Sequence, residues 1–572
     1  MEDECNALKP AGIRYGVNDK PPLWQAALLV VQYVLIAYGS LVIPALVARE
    51  SRSSFEDARL FIASSLLTMG ICTILQSSRR FGAGFLCPAV CGAEFAPASI
   101  AAVQQGGYAL LSGMLMVCGI FQGVISPLIA RLRPYFPVEV TGVVVFMTGL
   151  SLIKYALPGF LGIVDGRLFA NSSEMIVAFL SLAIMIIPCV WGNGLIRQNA
   201  GLLGLAGGIV ISLIAGCFPK IDEAMTAQPF IMVPRPGWAG WSWSFDMVIP
   251  FLIAGMCSVL GTLGNITACQ KTNTIDWRRP DMKTLSKGVL TEAFGNFSGG
   301  VIGGAGLGSS AVSVGMSIAT GVTSRYIGYG VGGCCILLSF FPGVSTLYAL
   351  LPRPVLAASL ILGVSFMLMT GIQVIASRML DVRKTLVVGI SIIAGLCVDI
   401  VPEIKETVCA SLRPLFGSPL SVAAITALML NMLFRIGVKK TEKIFLQYDS
   451  DSHVRIRNFF ETHGAVWGMR KEVLSNAENA LNHYIEGAAG KNSGAICFDI
   501  SASFDEFNFE LDIIHQGQPL DLSGNRPSMN ELVDFPDSAV SQLEGFLVKQ
   551  FADRASSGWQ ENTAYVNLGF EH

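Results

Sequence analysis

Apolar stretches long enough to cross a lipid bilayer recur through most of this chain. A helix needs about 20 apolar residues to span the hydrocarbon core, and roughly fourteen such segments can be placed, several of them short or interrupted by Gly or Pro. Their centres lie near Val34, Leu67, Ala93, Met116, Met147, Ala183, Gly208, Met256, Asn296, Gly315, Leu337, Val364, Ile393 and Leu428. The sequence therefore predicts an all-α polytopic membrane protein.

The composition agrees with that prediction. Charged residues make up 14% of the chain and hydrophobic residues 52%, whereas a soluble domain averages about 25% charged residues. A net charge of -2 gives no indication of a nucleic-acid partner, and none is predicted. The cysteines lie mostly within apolar stretches and show neither a metal-ligand spacing nor a disulfide framework. Neither a metal site nor an enzymatic activity is predicted.

Lysine and arginine residues cluster in alternate loops between the predicted segments. Cytoplasmic loops of membrane proteins carry an excess of these residues. The clustered residues are Arg79, Arg80, Arg131, Arg133, Arg197, Arg278, Arg279, Lys283, Lys287, Arg325, Arg378, Arg383 and Lys384, with Lys439, Lys440 and Lys443 after the last segment. This distribution predicts a multi-pass protein of the inner (plasma) membrane, surrounded by lipid, with both termini in the cytoplasm.

Residues 299–325, GGVIGGAGLGSSAVSVGMSIATGVTSR, are too rich in Gly and Ser for an ordinary lipid-facing helix. Non-helical backbone at membrane depth survives only where protein or a water-filled cavity covers it. A short helix that restarts near Ser309 would present unpaired N–H groups to a solute. The alternative is a tightly packed Gly/Ser helix interface.

A second interrupted segment, residues 84–98, has the sequence GFLCPAVCGAEFAPA. It is the third predicted segment and the Gly/Ser stretch is the tenth, which are equivalent positions if the chain consists of two halves of about seven segments. An odd number of segments per half makes the repeat inverted. Paired broken helices at equivalent positions point to a transporter's binding site near the bilayer midplane.

Five stretches carry the pattern of a known family. They read PPLWQAALLVVQYVLIAYGSLVIPALV, YFPVEVTGVVVFMTGLSLI, SVLGTLGNITAC, VSVGMSIATGVTSRYIG and LPRPVLAASLILGVSFMLMTGIQVI. They resemble spans one, five, eight, ten and twelve of the nucleobase–ascorbate transporters, the xanthine/uracil permease family. The resemblance covers residues 21–437. It implies a core domain (spans 1–4 and 8–11) that moves against a gate domain (spans 5–7 and 12–14), proton-driven solute uptake, and a homodimer.

The resemblance also implies positions that bind the substrate in the first and eighth spans. The first-span Gln-His pair of the family is Gln32-Tyr33 here. The eighth-span Glu that binds the nucleobase ring falls on Gly261, and the acidic or polar position one turn later falls on Asn265.

The tenth-span signature of the family falls on Val312, Ser313, Gly315 and Thr320. Its glycine and threonine are kept, whereas both side chains that hydrogen-bond the ring are replaced. Because these side chains are replaced, the resemblance leaves the class of solute open.

Glu94 and Phe95 stand where the family usually has Ser-Phe in the third span. A carboxylate at bilayer depth is costly and marks a functional site. Glu94 is predicted to bind ring N–H groups or to carry the coupled proton, the alternative being a pairing with a core polar group such as Asn265. Glu292, in the ninth segment, is a second proton-coupling candidate, with structural hydrogen bonding as its alternative. Glu139 is predicted to lie at an interface.

The composition changes after Lys443, where charged residues return and apolar residues alternate. We predict an N-terminal cytoplasmic tail over 1–20, a membrane domain over 21–438, a linker over 439–450 and a cytosolic α/β domain over 451–572. AICFDISASFDEFNFELDIIHQG is typical of two strands around a turn, and VLSNAENALNHYIEG and SAVSQLEGFLVKQFADRAS of amphipathic helices.

The order of these elements resembles a degenerate GHKL ATPase, the fold of anti-sigma factors and histidine kinases. Glu478 and Asn482 match the Glu-x-x-x-Asn box, in which Asn ligates Mg²⁺, and Gly517 matches the glycine of the Asp-x-Gly box, whose adenine-reading Asp is His515 here. Because that Asp and the lid glycines are replaced, no cofactor is predicted, ATP with Mg²⁺ being the alternative. The predicted role is binding of a cytosolic regulatory protein.

The leading functional hypothesis is a secondary active transporter that takes up a nucleobase or related heterocycle with protons. Backbone N–H groups near Phe95 and Ser313 would hold the solute, Glu94 would be its main side-chain ligand, and Gln32 would orient it. A small-anion transporter and a membrane-anchored sensor that signals through the tail are the alternatives.

Overall fold

Most of the chain is described by this computed structural model. The described ranges are 12–129, 138–163, 172–193, 199–218, 231–275, 280–377, 380–401, 418–434, 440–449, 451–491, 497–505, 508–522, 536–560 and 562–571, with residues 10, 196–197, 403 and 416. The chain divides into two compact units, Met1–Asn431 and Met432–His572.

The first unit is almost entirely helical. Its helices are α1 (Leu23–Gly39), α2 (Val42–Glu50), α3 (Phe55–Ser77), α4 (Ala96–Ile125), α5 (Val138–Leu161), α6 (Ser172–Trp191), α7 (Ala200–Ile214), α8 (Phe245–Asn273), α9 (Met282–Ile302), α10 (Ala311–Thr320), α11 (Arg325–Ser339), α12 (Pro342–Ala349), α13 (Arg353–Ile375), α14 (Val382–Ile400) and α15 (Pro419–Phe434). Two short strands, β1 (Ala89–Cys91) and β2 (Leu307–Ser309), precede α4 and α10.

These helices confirm the predicted polytopic fold. Each predicted segment centre lies in one of them except Ala93, which begins a 3₁₀ turn, Ala93–Phe95, just before α4. Within the described ranges, 7 helices are long and apolar enough to cross a membrane, or 8 if the bent pair α11–α12 is one span. The shorter helices α7, α10 and α15 are also apolar.

Helix α4 joins the end of the third predicted segment to the fourth. Gly106 (φ -145°) and Gly107 (φ 68°) have non-helical backbone angles inside it. Glycine is the residue that tolerates a positive φ, so this pair kinks the helix. The half-helix of the third segment ends at the kink and the fourth segment begins there.

The membrane helices pack as two groups. α5, α6, α7, α13 and α14 contact one another, as do α3, α4, α8, α9 and α11. Glycines allow close approach in both groups: a Cβ atom at Gly371 of α13 would lie 2.7 Å from the Phe146 nitrogen of α5, and one at Gly119 of α4 would lie 2.6 Å from the Phe297 nitrogen of α9. Small residues of this kind let membrane helices pack backbone to backbone. The groups correspond to the expected gate and core.

Part of the N-terminal segment, predicted as a polar tail, is held against the end of α10. Arg14 donates its N–H to the Gly321 carbonyl at 2.7 Å, and Thr323 donates to the Tyr15 carbonyl at 2.9 Å. Gly321 has φ 67°, and a Cβ atom there would lie 2.2 Å from the Gly12 oxygen. The segment therefore fastens the turn between α10 and α11.

The second unit is an antiparallel sheet with helices. Its elements are β3 (Lys440–Gln447), α16 (Ser452–Trp467), α17 (Lys471–Lys491), β4 (Cys497–Phe504), β5 (Asn508–Gln516), α18 (Pro536–Phe551), β6 (Arg554–Gln560) and β7 (Thr563–Glu571). The strand order is β3-β4-β5-β7-β6. Along β5 the alternate residues Phe509, Leu511 and Ile513 are fully buried, as the alternating sequence predicts.

The predicted linker at 439–450 is wrong for most of its length. Lys440–Gln447 forms the edge strand β3, which pairs antiparallel with β4 so that Ile444 lies opposite Ile500. Of its eight residues only Leu446 is buried. An edge strand with one buried position and several lysines gives almost no period-two signal, so its sequence is typical of a loop.

Candidate functional site

The two interrupted segments meet in a short antiparallel ribbon. Ala89 of β1 lies opposite Ser309 of β2, and Cys91 lies opposite Leu307. Beyond the ribbon each chain turns into a helix, so the N-terminal ends of α4 and α10 start beside the same two strands. The expected pair of broken spans is confirmed, and a continuous Gly/Ser helix interface is wrong because residues 303–310 are not helical.

Ser310 caps the N-terminus of α10. Its Oγ accepts a hydrogen bond from the Ser313 N–H at 3.1 Å, and the Ser313 hydroxyl lies 2.8 Å from the same oxygen. The Ser313 N–H, expected to bind solute, therefore already has an acceptor. The N–H groups of Ala311 and Val312 precede it and, like the first N–H groups of any helix, have no intrahelical acceptor.

Glu94 lies in the 3₁₀ turn before α4, half-buried, with its carboxyl group against β2. A Cβ atom at Gly308 would lie 2.7 Å from Glu94 Oε1 and 3.0 Å from Ser258 Oγ, so the site requires glycine there. Ser258 Oγ of α8 therefore lies beside the Glu94 carboxyl group. Asn265 donates instead to Ser309 Oγ at 2.7 Å, so the alternative pairing of Glu94 with Asn265 is not the one observed.

Glu292 of α9 is buried at 3% exposure and is connected to the same serine. Ser258 Oγ donates to Glu292 Oε1 at 2.5 Å, and Thr262 donates to Oε2. Gln122 Nε2 donates to Oε1 at 3.2 Å. Ser258 thus lies between two carboxyl groups, Glu94 toward the ribbon and Glu292 toward the helix interior.

Asn296, one turn beyond Glu292 on α9, holds the second strand in place. It accepts the Leu307 N–H at 2.6 Å and donates to the Leu307 carbonyl at 3.1 Å. It also donates to Gln122 Oε1 at 2.8 Å. This fully buried amide therefore joins β2, α4 and α9 around the carboxyl groups.

Two glycines beside the ribbon face open space. A Cβ atom added at Gly261 of α8 or at Gly315 of α10 would meet nothing within 4 Å among the described residues. Gly261 is the position at which the family resemblance expects a carboxylate side chain. The missing side chain therefore leaves room next to Thr262, rather than a packed helix contact.

The other predicted site residues of the first unit lie on α1, on α10 and in the turn before α4. Tyr33 is buried, and its hydroxyl lies 2.7 Å from Ser317 Oγ of α10; Gln32 beside it is 6% exposed. The ring of Phe95 packs on Gly306, where a Cβ atom would lie 2.4 Å from it. Thr320 lies at the opposite end of α10 from the ribbon and donates to the Met316 carbonyl at 2.8 Å.

The side chain of Val312 is 65% exposed. Glu139, predicted to be interfacial, joins two gate helices through an ion pair with Lys384 Nζ at 3.1 Å.

Several members of the polar network were not predicted from the sequence: Ser258, Thr262, Ser309, Gln122 and Asn296. Ser258, Thr262 and Asn265 recur every three or four residues on α8, which places them on one helix face. From that spacing, Ser258 and Thr262 could have been predicted to lie near Asn265. Gln122 and Asn296 are single amides in apolar segments, and no local pattern distinguishes them from isolated buried polar residues.

In the second unit, the residues matched to an ATP site have other partners. Asn482 Oδ1 lies 3.0 Å from His453 Nδ1, and the Gly517 N–H donates to the Asn562 carbonyl. Glu478 is half-buried on α17. His515 is 2% exposed, with Nε2 2.8 Å from the Tyr484 hydroxyl. Burial lowers the pKa of His515. Nucleotide binding stays the untested alternative to the prediction of no cofactor.

The chain matches the model of a family described as the Permease family (Xan_ur_permease) over residues 24–404. It is 28% identical over 439 residues to the xanthine permease XanP of Escherichia coli K12, covering 73% of this chain and 94% of that protein. It is 29% identical over 450 residues to the xanthine permease XanQ of the same organism, covering 74% and 94%. The nucleobase transporter PlUacP of Paenibacillus larvae is 25% identical over 420 residues, covering 72% and 95%.

Among solved structures, the mouse solute carrier 26 family member A9 anion transporter, in its inward-facing state, is similar in fold. The TM-score is 0.50 at 11% identity, covering 76% of this chain and 72% of that one. At this identity the likeness shows the fold alone. It supports the arrangement of two inverted repeats.

Proposed function

Because this chain belongs to the Permease family, and is thus a multi-pass inner-membrane transporter rather than an enzyme, we propose that it takes up a nucleobase together with protons. Xanthine and nucleobase transporters among its relatives, at 25% to 29% identity, support a heterocyclic solute. The observation that carries the proposal is the Glu94 carboxyl group, placed against Gly308 where the two half-helices begin.

The solute would bind between the ribbon and the open face of α8 and α10. A carboxylate at Glu94 accepts the ring N–H groups that nucleobases present. The first N–H groups of α10, at Ala311 and Val312, would donate to ring carbonyl oxygens. The space beside Gly261 admits the ring where relatives are expected to carry a side chain. Glu94 would thus replace the eighth-span carboxylate from the opposite side of the site.

Proton coupling would use the two carboxyl groups on either side of Ser258. Two carboxylates close together in a buried site repel each other, so one shared proton stabilises the pair. A solute that needs an ionised Glu94 as acceptor would shift that proton to Glu292. Binding and protonation would therefore be linked through Ser258 Oγ, which lies 2.5 Å from Glu292 Oε1.

The small-anion alternative is disfavoured by the same pair. Two helix N-termini attract an anion, but Glu94 and Glu292 place up to two negative charges beside them. An anion would bind only with both groups protonated. The sensor alternative differs in its dependence on the tail: removing residues 440–572, which begin after α15, would leave uptake intact in a transporter and abolish all output in a sensor.

We further propose a homodimer with both termini in the cytoplasm, as the family resemblance implies. The second unit would bind a cytosolic regulatory protein, for which its antiparallel sheet and helices would provide the surface.

Uptake by proteoliposomes containing the full chain tests the proposal. Labelled xanthine, uracil and a small anion are each offered with and without a pH gradient, acidic outside. Wild-type protein, Glu94→Gln and Glu292→Gln are compared with Asp246→Asn, which removes an exposed carboxylate from the first turn of α8. We expect gradient-dependent uptake of a nucleobase that is lost in Glu94→Gln, uncoupled from the gradient in Glu292→Gln, and kept in Asp246→Asn.

Two results would overturn the proposal. Uptake of the anion alone, unchanged or raised in Glu94→Gln, would assign the half-helix ends to anion binding. Nucleobase uptake that is equal in Glu94→Gln and wild type would remove Glu94 from the site.

A further inference from the structure

A group of histidine and glutamate side chains lies between two helices of the second unit. His483 and Glu486 are on α17, three residues apart and therefore on one helix face, and Glu544 is on α18. One ligand atom from each of the three lies within 4.8 Å of the others. His483 Nδ1 is 2.6 Å from Glu544 Oε2. None of these contacts belongs to the membrane unit or to the transport site.

The group is held in place but remains accessible to an ion. His483 is 29% exposed and Glu544 is 16% exposed. The His483 ring stacks on Phe551 with the ring centroids 5.8 Å apart and the planes 8° from parallel. This stacking directs Nδ1 at Glu544. A metal ion at that point would take the place of the direct contact between His483 Nδ1 and Glu544 Oε2.

His453 of α16 brings a second imidazole to the same group. Its Nε2 lies 3.1 Å from Glu486 Oε1. Its Nδ1 lies 3.0 Å from Asn482 Oδ1, and this contact holds the ring with Nε2 toward Glu486. A second imidazole nitrogen is therefore within reach of an ion bound by Glu486.

We propose that His483, Glu486 and Glu544 bind a divalent transition-metal ion, with His453 positioned as a fourth ligand or as the group that orients Glu486. Imidazole nitrogen with carboxylate oxygens is a ligand set of Zn²⁺, whereas Mg²⁺ prefers oxygen ligands alone. The ion would fasten α17 to α18. With such a site, the packing of α17 on α18 depends on the concentration of the metal ion.

This site differs from the nucleotide-bound Mg²⁺ that the GHKL resemblance implies. That ion would be held by Asn482 and by phosphate oxygens, and the Asn482 side chain is engaged by His453 here. The proposed site needs no nucleotide. A binding experiment without ATP separates the two.

Calorimetric titration of the full-length protein with Zn²⁺, in the absence of nucleotide, tests the proposal. The protein is produced without a polyhistidine tag, since a tag would bind the same metal. We expect one ion per chain, a Kd that rises at least ~10-fold in His483→Ala and in Glu544→Gln, and a smaller rise in His453→Ala. Glu461→Gln is the matched control, because Glu461 is exposed on α16 and pairs only with Arg457 among the described residues.

Two further measurements keep the test decisive. Cys497 is an exposed free thiol, so Co²⁺ absorption is recorded in wild type and in Cys497→Ser. Nitrogen and oxygen ligation gives visible bands without thiolate charge transfer, and these bands should persist in Cys497→Ser. Glu486→Gln is the control for misfolding, because Glu486 is half-exposed. This variant should lose Zn²⁺ binding, while its circular dichroism spectrum and its Tm without metal should equal those of wild type.

The proposal fails if the wild type shows no saturable Zn²⁺ binding. It fails equally if the three ligand variants bind as tightly as Glu461→Gln, or if Co²⁺ binding disappears with Cys497. The cluster would then be a set of hydrogen-bonded charges that only stabilises the packing of α17 on α18.

Discussion

The two broken segments leave one β-ribbon at equivalent points but offer different chemistry. Glu94 is the third residue after β1, and Val312 is the third residue after β2. Glu94 lies against Gly308 and Ser258, whereas the Val312 side chain is 65% exposed. A repeat that is symmetric in backbone is thus asymmetric in charge, and one half provides the ionisable group while the other provides backbone donors.

The N-termini of α4 and α10 are also capped differently. Ser310 caps α10 with its hydroxyl group, whereas no side chain caps the turn that leads into α4. The Glu94 carboxyl group instead lies against Gly308 and Ser258. A neutral cap is fixed, but a carboxyl group can change its protonation state. The mobile proton is therefore expected on the third segment, and the tenth segment is expected to stay neutral throughout the cycle.

The largest effect is expected from moving the carboxylate. Glu94→Gln should lower nucleobase uptake by about 100-fold, since a hydrogen bond to a charged group contributes up to about 3 kcal/mol. If the two positions are equivalent, the double variant Glu94→Val with Val312→Glu should recover part of the loss. Initial uptake rates at equal expression measure both. Uptake by the double variant that is no higher than that of Glu94→Val alone would show that the two positions are not equivalent.

A smaller but still large effect is expected at the amide that holds β2. Asn296→Ala leaves both backbone groups of Leu307 without this partner and should destabilise the membrane unit by about 3 kcal/mol. The Tm in detergent should fall clearly below that of Asn265→Ala, whose amide is half-buried and, among the described residues, bonds only Ser309. Equal shifts for the two variants would mean that Asn296 does not hold the ribbon.

Two glycines provide a matched pair for the shape of the site. Gly308→Ala would place a methyl group 2.7 Å from Glu94 Oε1, which should cost about 2 kcal/mol through overpacking and should reduce uptake. Gly315→Ala adds the same methyl group to open space and should leave the Tm unchanged or slightly raised, because alanine favours a helix interior. A lower Tm for Gly315→Ala than for Gly308→Ala would contradict the observed packing.

The smallest effect is expected at the cap of α10. Ser310→Ala removes the acceptor of the Ser313 N–H and should destabilise the helix end by about 1 kcal/mol. Because the freed N–H points toward the proposed solute site, the apparent affinity for solute should change more than the maximal rate. Ser310→Asp, another good cap, should keep the stability but lower uptake by adding a negative charge near Glu94.

The sequence by itself determined where the apolar helices lie. A span must be long and apolar whatever its neighbours are, and every predicted centre except Ala93 accordingly falls in an observed helix. The breaks near Gly92 and Gly306 were also visible, because such glycine-rich backbone cannot be an ordinary lipid-facing helix. Strand β3 was missed because an edge strand buries too few side chains to leave a pattern.

Only the tertiary structure decided which polar side chains meet. Glu94 and Glu292 stood out because carboxylates are rare in apolar segments, yet the serine that joins them lies on a third helix, at Ser258. His483 and Glu544 are 61 residues apart, so their contact leaves no spacing to recognise. Burial of one side chain is governed largely by its local segment, whereas the partner of a polar group depends on how distant helices pack, and that information is not local in the sequence.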